Sequence, residues 1–309
     1  MACMDQLLAQ RLEGVVGAGN VAFDEPMSRH TTFRIGGPAD AFVAPGSAEE
    51  LQAVLGACRA AGERVYVLGC GSNVLVSDGG LRGVVVRIGP KMAEVDIRPD
   101  GSVVAQAGAM NSKIARAAQA AGLAGFEFAA GIPGTIGGAA IMNAGAYGGE
   151  LRDVATGVTC LTERGDLVEL TSKQADWSYR HSMMGDAGYI VVSVALQLHA
   201  DDPVAIQERM DDLSRRRNEK QPLDLPSAGS TFKRPEGHFA GKLIQDAGMQ
   251  GHTVGGAQVS TKHAGFVVNV GEATAADVLQ VIQDVKETVL RQTGVELEPE
   301  VRLWGFGSE

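Results

Sequence analysis

Aromatic residues make up only 5% of the chain, there are four cysteines in all, and no apolar run is long enough to span a bilayer. Each scarcity closes off a class of function. Few aromatic rings means few stacking platforms for single-stranded nucleic acid. Cys3, Cys58, Cys70 and Cys160 form no C-x-x-C pair and have no His at metal-ligand spacing, so neither a zinc site nor a disulfide framework is expected. Basic residues are also in the minority, 27 Lys and Arg against 37 Asp and Glu, a net charge of -10. A surface of that sign repels nucleic-acid backbones and anionic lipid, which leaves local basic clusters as the only grip for a small anion. Asp5, Arg11 and Glu13 interrupt the stretch where a signal peptide would need an apolar core, so a reducing cytoplasm is the expected compartment.

What the chain has in abundance is glycine, 41 residues spread among apolar runs in a 309-residue sequence that is 45% apolar and 21% charged. Such a chain can bury one or more full cores, and its length suggests about two domains. From Ala39 to Leu68 the pattern is strand, helix, strand. Ser47 with Glu50 predicts a capping box, Leu51, Val54, Leu55 and Cys58 share one face, and Gly62 ends the helix. Short β-like runs follow at residues 83–88, 102–108, 158–162, 167–171 and 189–198, with one helical segment at 111–122. Composition then changes near His199. Asp202 and Pro203 read as the start of a charged helix over an Ile206, Met210 and Leu213 stripe, with a domain boundary near His199. A last helix starts at about Thr274, turns Val278, Ile282, Val285 and Val289 inward and ends at Gly294, and an extended tail follows.

Chemistry could sit in three places. In "VLGCGSNVLVSDGG", Gly69 and Gly71 fit a dinucleotide fingerprint, but Val74 takes the third glycine position and a β-like run replaces the helix. The segment alone is as well read as a tight turn as a nest of backbone N–H groups aided by Ser72 and Asn73. A second segment, "FAAGIPGTIGGAAIMNAGAYGGE", carries Gly131, Gly134, Gly137, Gly138, Gly145, Gly148 and Gly149 with few charges. Its backbone could approach a large, flat ligand, and the two segments together suggest a dinucleotide bound outside a Rossmann framework. The third place is Arg180, Ser230 and Glu300, each of which alone reads as an ordinary solvated residue. Ser230 lacks the G-x-S-x-G elbow of a serine hydrolase.

Taken in order, "HTTFRIGGPAD", "VLGCGSNVLVSDGG", "AAGIPGTIGGAAIMNAGAYGGE", "YRHS", "AGSTFKRPEGHFAGKLIQDAG" and "EPEVRLWG" resemble the UDP-N-acetylenolpyruvoylglucosamine reductase (MurB) family over His30 to Gly305. The resemblance implies an α+β chain with an FAD-binding fold of the vanillyl-alcohol oxidase (PCMH) type in two subdomains, plus a C-terminal α+β substrate domain. The implied divisions are 1–90, joined by 295–309, then 91–199, and 200–294 for substrate. It implies an FAD-dependent oxidoreductase, a UDP-N-acetylmuramate dehydrogenase, that uses NADPH to reduce UDP-N-acetylglucosamine enolpyruvate in peptidoglycan synthesis. FAD would be bound non-covalently, with His30 structural and no metal. Matched motif by motif, Arg180, Ser230 and Glu300 would be catalytic. Gly69, Gly71, Ser72, Asn73, Gly131, Gly134, Thr135, Gly137, Gly138, Asn143 and Gly145 would hold the cofactor, and Tyr179, Lys220, Lys233 and Arg234 the substrate, with Arg215 to Arg217 weaker candidates. "YRHSMMGDAGYIVVSV" runs straight from Tyr179 into a strand, as in the version of the family without a tyrosine-bearing loop. A monomer in the cytoplasm, with no nucleic-acid or membrane partner, completes the expectation.

Overall fold

A computed structural model describes residues 5–307, so Cys3 lies outside the described residues. Its contacts divide the chain into two compact units, one made of the chain up to Phe23, Ala41–Cys70 and Gly83–Arg217, the other of Asp24–Asp40, Gly71–Arg82 and the chain from Asn218 onward. The three-part division into flavin subdomains and a substrate domain is a different partition and stays a proposal.

In the first unit, helix Ala48–Ala61 buries Leu51, Val54, Leu55 and Cys58 and ends at Gly62 in the left-handed region, as its sequence requires. Its start differs from a full capping box. The Ser47 hydroxyl accepts from the Glu50 N–H, but the Glu50 carboxylate takes the N–H of Gly46, one residue further out. Strand Val65–Leu68 pairs in parallel with Leu81–Arg87, whose Val84, Val85 and Val86 are all fully buried. A strand covered on both faces has no polar alternation, which is why "GVVVRI" reads as a continuous apolar run. Strands Val21–Pro26 and Pro38–Val43 complete a four-stranded sheet on the other side of Leu81–Arg87.

A second, antiparallel sheet has the order Leu167–Thr171, Ala155–Leu161, Ile190–Gln197, Ser102–Gln106, Val95–Ile97. Its central register sets Val194 opposite both Val158 and Ala105, so one face is a continuous apolar layer. Helix Asn111–Ala120 buries Ile114 and Ala118 against the same core. Helix Ile136–Ile141, inside the glycine-rich segment, packs on Ile190–Gln197 and was not expected from the sequence. Four small residues in its six give no apolar stripe to read. Helix Pro203–Lys220 buries Ile206 and Met210, while Leu213 is only half-buried.

In the second unit, helix Ala275–Thr293 carries a full capping box, the Thr274 hydroxyl with the Asp277 carboxylate, and ends at left-handed Gly294. Val278, Ile282, Val285 and Val289 are buried as expected, beside a three-stranded antiparallel sheet of Thr253–Val254, Ala257–Val259 and Val267–Asn269. The tail is only partly a strand. Arg302–Trp304 pairs in parallel with Val74–Val76, and residues 298–300 run instead beside 231–233.

Candidate active site

The loop after Leu68 serves structure at most of its positions. Gly71 has φ +62°, and a Cβ there would meet the His30 carbonyl oxygen at 2.1 Å. The Gly71 carbonyl in turn accepts the Thr32 N–H. Protein backbone, with no ligand involved, is enough to require this glycine. The end of the same motif is also structural. Asp78 accepts the N–H groups of Ala275 and Ala276 at 2.8 and 3.1 Å, capping the long C-terminal helix. A Cβ on Gly80 would meet the Pro38 carbonyl at 1.9 Å, so "GGPAD" and "SDGG" are locked backbone to backbone.

Asn73 leads to the catalytic candidates of the second unit. Its amide donates to the Glu300 carbonyl at 3.3 Å, and its own carbonyl accepts the Arg302 N–H. The Glu300 N–H donates to the Thr231 carbonyl at 2.8 Å, and the Lys233 N–H to that of Glu298. Residues 231–233 and 298–300 are thus an antiparallel pair, in which Glu300 is opposite Thr231 and Ser230 is the residue just before the pair. Thr231 is buried and its hydroxyl accepts the Val267 N–H, so it holds the ladder down while Ser230, after left-handed Gly229, is exposed. The Lys233 ammonium is paired with the Glu298 carboxylate. Arg234 lies 4.0 Å over the Phe239 ring. Lys220, exposed at the end of its helix, faces His263, whose protonation is disfavoured first by burial and then by that lysine. The His263 Nδ1 accepts the Gly265 N–H, which fits a neutral ring.

In the first unit the glycine-rich segment and the YRHS turn are one structure. Thr135 caps the Ile136–Ile141 helix and is buried, and a Cβ on Gly69 would meet its hydroxyl at 2.6 Å. Gly134 sits at φ +125° and its carbonyl accepts the Asn111 N–H. Gly137 fits against Ala107, and Gly145 against Gly149 and Glu150. Gly131 leaves room for the Arg217 side chain, whose Cδ would be 3.1 Å from a Cβ there. This separates Arg217, desolvated enough to lower its pKa, from Arg215 and Arg216, which pair with Asp212 on a solvated face. Asn143 is fully buried, and both its amide hydrogens go to protein, to Glu150 Oε2 and the Ser178 carbonyl. Its amide therefore has no hydrogen left for a cofactor. Tyr179 is exposed, with the Arg180 guanidinium 5.1 Å from its ring centroid.

Two features of this unit fit a flavin. Asn111 Oδ1 is a buried acceptor without a protein partner, beside the Gly134 backbone, where a ligand N–H would satisfy it. Gly138, at the start of its helix, is exposed, and a Cβ there would meet only the Thr135 hydroxyl at 3.8 Å. A flat ligand could lie on that surface. Sequence reasoning missed Asn111, the first residue of its helix, whose Oδ1 caps nothing.

Two family models match the chain. Residues 39–171 match the family model described as FAD binding domain, and residues 221–304 the C-terminal domain of UDP-N-acetylenolpyruvoylglucosamine reductase. The reductase of Agathobacter rectalis is 51% identical over 91% of this chain and 93% of its own. The chain belongs to the UDP-N-acetylenolpyruvoylglucosamine reductase family. The reductase of Caldanaerobacter subterraneus is 45% identical over 98% of this chain and 99% of its own. The crystal structure of MurB from Thermus caldophilus superposes with a TM-score of 0.79 at 33% identity, over 91% of this chain and 97% of that one. An alkyldihydroxyacetonephosphate synthase, 18% identical over 64% of this chain and 41% of its own with a TM-score of 0.50, shares the fold alone. The α+β assignment and the FAD-binding fold stand, and the chain is an FAD-dependent oxidoreductase of the reductase family. Among the described residues no cluster of His, Cys, Asp or Glu could hold a metal ion, and no helix is long and apolar enough to cross a membrane.

Proposed function

We propose that the chain reduces UDP-N-acetylglucosamine enolpyruvate to UDP-N-acetylmuramate with NADPH as reductant, a step of peptidoglycan synthesis carried out by a cytoplasmic monomer. The observation that supports the reading is the 231–233 and 298–300 ladder, in which Glu300 stands opposite Thr231, the residue that follows Ser230. FAD held by the glycine-rich segments would supply hydride, drawn from NADPH, to the terminal alkene carbon. The chain's own residues handle the charge and proton that this creates.

The alkene is conjugated to a carboxylate, so hydride addition spreads negative charge into that group. Arg180 stabilises the developing charge, and Glu300 binds and orients the carboxylate. Ser230 gives its hydroxyl proton to the neighbouring carbon as general acid. One C=C bond becomes one C–C bond, with NADPH oxidised to NADP+ and the serine reprotonated from water. Lys220, Lys233 and Arg234 bind the UDP diphosphate, with Tyr179 beside Arg180. For Lys233 this exchanges one anionic partner, Glu298, for another. Thr135, Gly138 and the backbone around Gly69 to Asn73 and Gly131 to Gly145 hold the cofactor.

Ser230→Ala tests the assignment. The variant keeps its yellow flavin and lets NADPH bleach it, and the enolpyruvyl substrate then restores the colour at least about 100-fold more slowly than in wild type. Reoxidation near the wild-type rate removes Ser230 from the role.

A further inference from the structure

Arg180 stands in a backbone conformation that its side chain disfavours. Ser178 and His181 exchange both backbone hydrogen bonds, a two-residue turn with Tyr179 and Arg180 at its tip. Arg180 has φ +55°, the third residue of a four-residue turn, where glycine or asparagine is the ordinary choice. A side chain there costs about 1 kcal/mol and persists only where the surroundings over-determine it.

Those surroundings are specific. The Ser178 carbonyl, which closes the turn by accepting the His181 N–H, also accepts an Asn143 amide hydrogen at 3.0 Å. Asn143 is itself fixed. It is fully buried at φ +41°, its second hydrogen goes to Glu150 Oε2 at 2.9 Å, and its Oδ1 accepts the Arg152 N–H at 3.0 Å. On either side of the turn two further donors reach the end of the Ile136–Ile141 helix. Trp177 Nε1 donates to the Ala140 carbonyl at 2.7 Å, and the Ser182 hydroxyl to that of Ile141 at 2.8 Å. The last carbonyls of a helix have no partner four residues on, and although the Ala140 carbonyl also takes the Asn143 N–H at 3.5 Å, both can accept from an incoming loop.

We infer that Asn143, with Trp177 and Ser182, is a positioning residue for the substrate-facing Arg180, acting through the Ser178 carbonyl. The inference rests on the role of Arg180 proposed above. It also explains why an asparagine in the glycine-rich segment offers its whole amide to protein. Helix Ile136–Ile141 and the arginine turn then form one clamped body.

Asn143→Asp keeps the shape and the tolerance for positive φ but removes both donors. The expected variant binds FAD and is bleached by NADPH at the wild-type rate, while its reoxidation by the enolpyruvyl substrate slows at least about 10-fold. In the Arg180→Lys background the same change brings no further loss, because its effect passes through Arg180. Hydrogen exchange of the cofactor-free protein rises at residues 178–182. Trp177→Phe, which removes one donor and keeps the ring packing, gives the same pattern more weakly and stands in if Asn143→Asp fails to fold. A loss that multiplies with that of Arg180→Lys, or an equal slowing of flavin bleaching, overturns the inference. Arg180→Lys slow with Asn143→Asp normal overturns the positioning alone, whereas Arg180→Lys at the wild-type rate removes the role of Arg180 and the positioning with it.

Discussion

Gly138→Ala separates the needs of the fold from the needs of the cofactor. The residue lies in the first turn of the Ile136–Ile141 helix, without positive φ, and the added Cβ meets nothing nearer than the Thr135 hydroxyl at 3.8 Å. Replacing a helical glycine without a clash stabilises the cofactor-free protein by about 0.5 to 1 kcal/mol. For a chain of this size that is a rise of about 1 to 4 °C in Tm. A ligand lying on the same surface must retreat from the new methyl, a cost of about 1 to 3 kcal/mol. That corresponds to about 5- to 150-fold in the FAD dissociation constant. The neighbouring Gly137→Ala is the control. Its Cβ would be 2.8 Å from the Ala107 Cβ, so it destabilises the cofactor-free protein. Thermal melts without FAD and titrations of FAD fluorescence quenching read the two quantities separately. An FAD affinity within about twofold of wild type, in a Gly138→Ala protein with raised Tm, would refute the placement of FAD on this face.

Two further predictions concern stability. Asp78→Ala leaves the N–H groups of Ala275 and Ala276 without their acceptor and lowers stability by about 1 to 2 kcal/mol, with Asp78→Asn losing less, as read from urea unfolding; equal losses in the two variants would exclude a role for the charge. Glu127 is held below the usual carboxylate range because, although burial opposes it, its backbone, Arg209 and the Gly125 N–H all favour the charged form. Its contribution is therefore complete above the unfolded value of 4.5 and disappears as the pH falls through the lower folded value. Arg209→Ala flattens that acid limb and costs about 1 kcal/mol at neutral pH, and an unchanged acid limb in a pH series of melts would contradict it.

Cysteine chemistry is absent from these expectations for a physical reason. Burial pushes the Cys58 and Cys160 thiols up to about 11 and about 12, and it raises Cys70 as well, so none is held as a reactive thiolate. The Cys70 sulfur lies 3.2 Å from that of Met110, a packing contact beside a loop whose glycine is fixed by the His30 carbonyl.

Local signals were legible where local physics decides. Ser47, Gly62, Thr274 and Gly294 mark helix ends because a cap satisfies backbone groups within a few residues, and Val278 to Val289 follow the helical period because one face is buried. The Ile136–Ile141 helix was not legible, since its small residues carry no periodic signal and its support comes from strand Ile190–Gln197. Motif order alone identified the family. What the sequence could not tell was which glycines serve the backbone and which leave surface open: Gly71 and Gly138 look alike in a string, and only the distance from a Cβ to the His30 carbonyl, or to nothing, distinguishes them. The same holds for Asn143 and Ser178, and for Thr231 and Glu300. Residues so far apart in the chain become partners only when sheets and helix ends bring their backbones within hydrogen-bonding reach, a condition set by long-range packing that no short stretch of sequence contains.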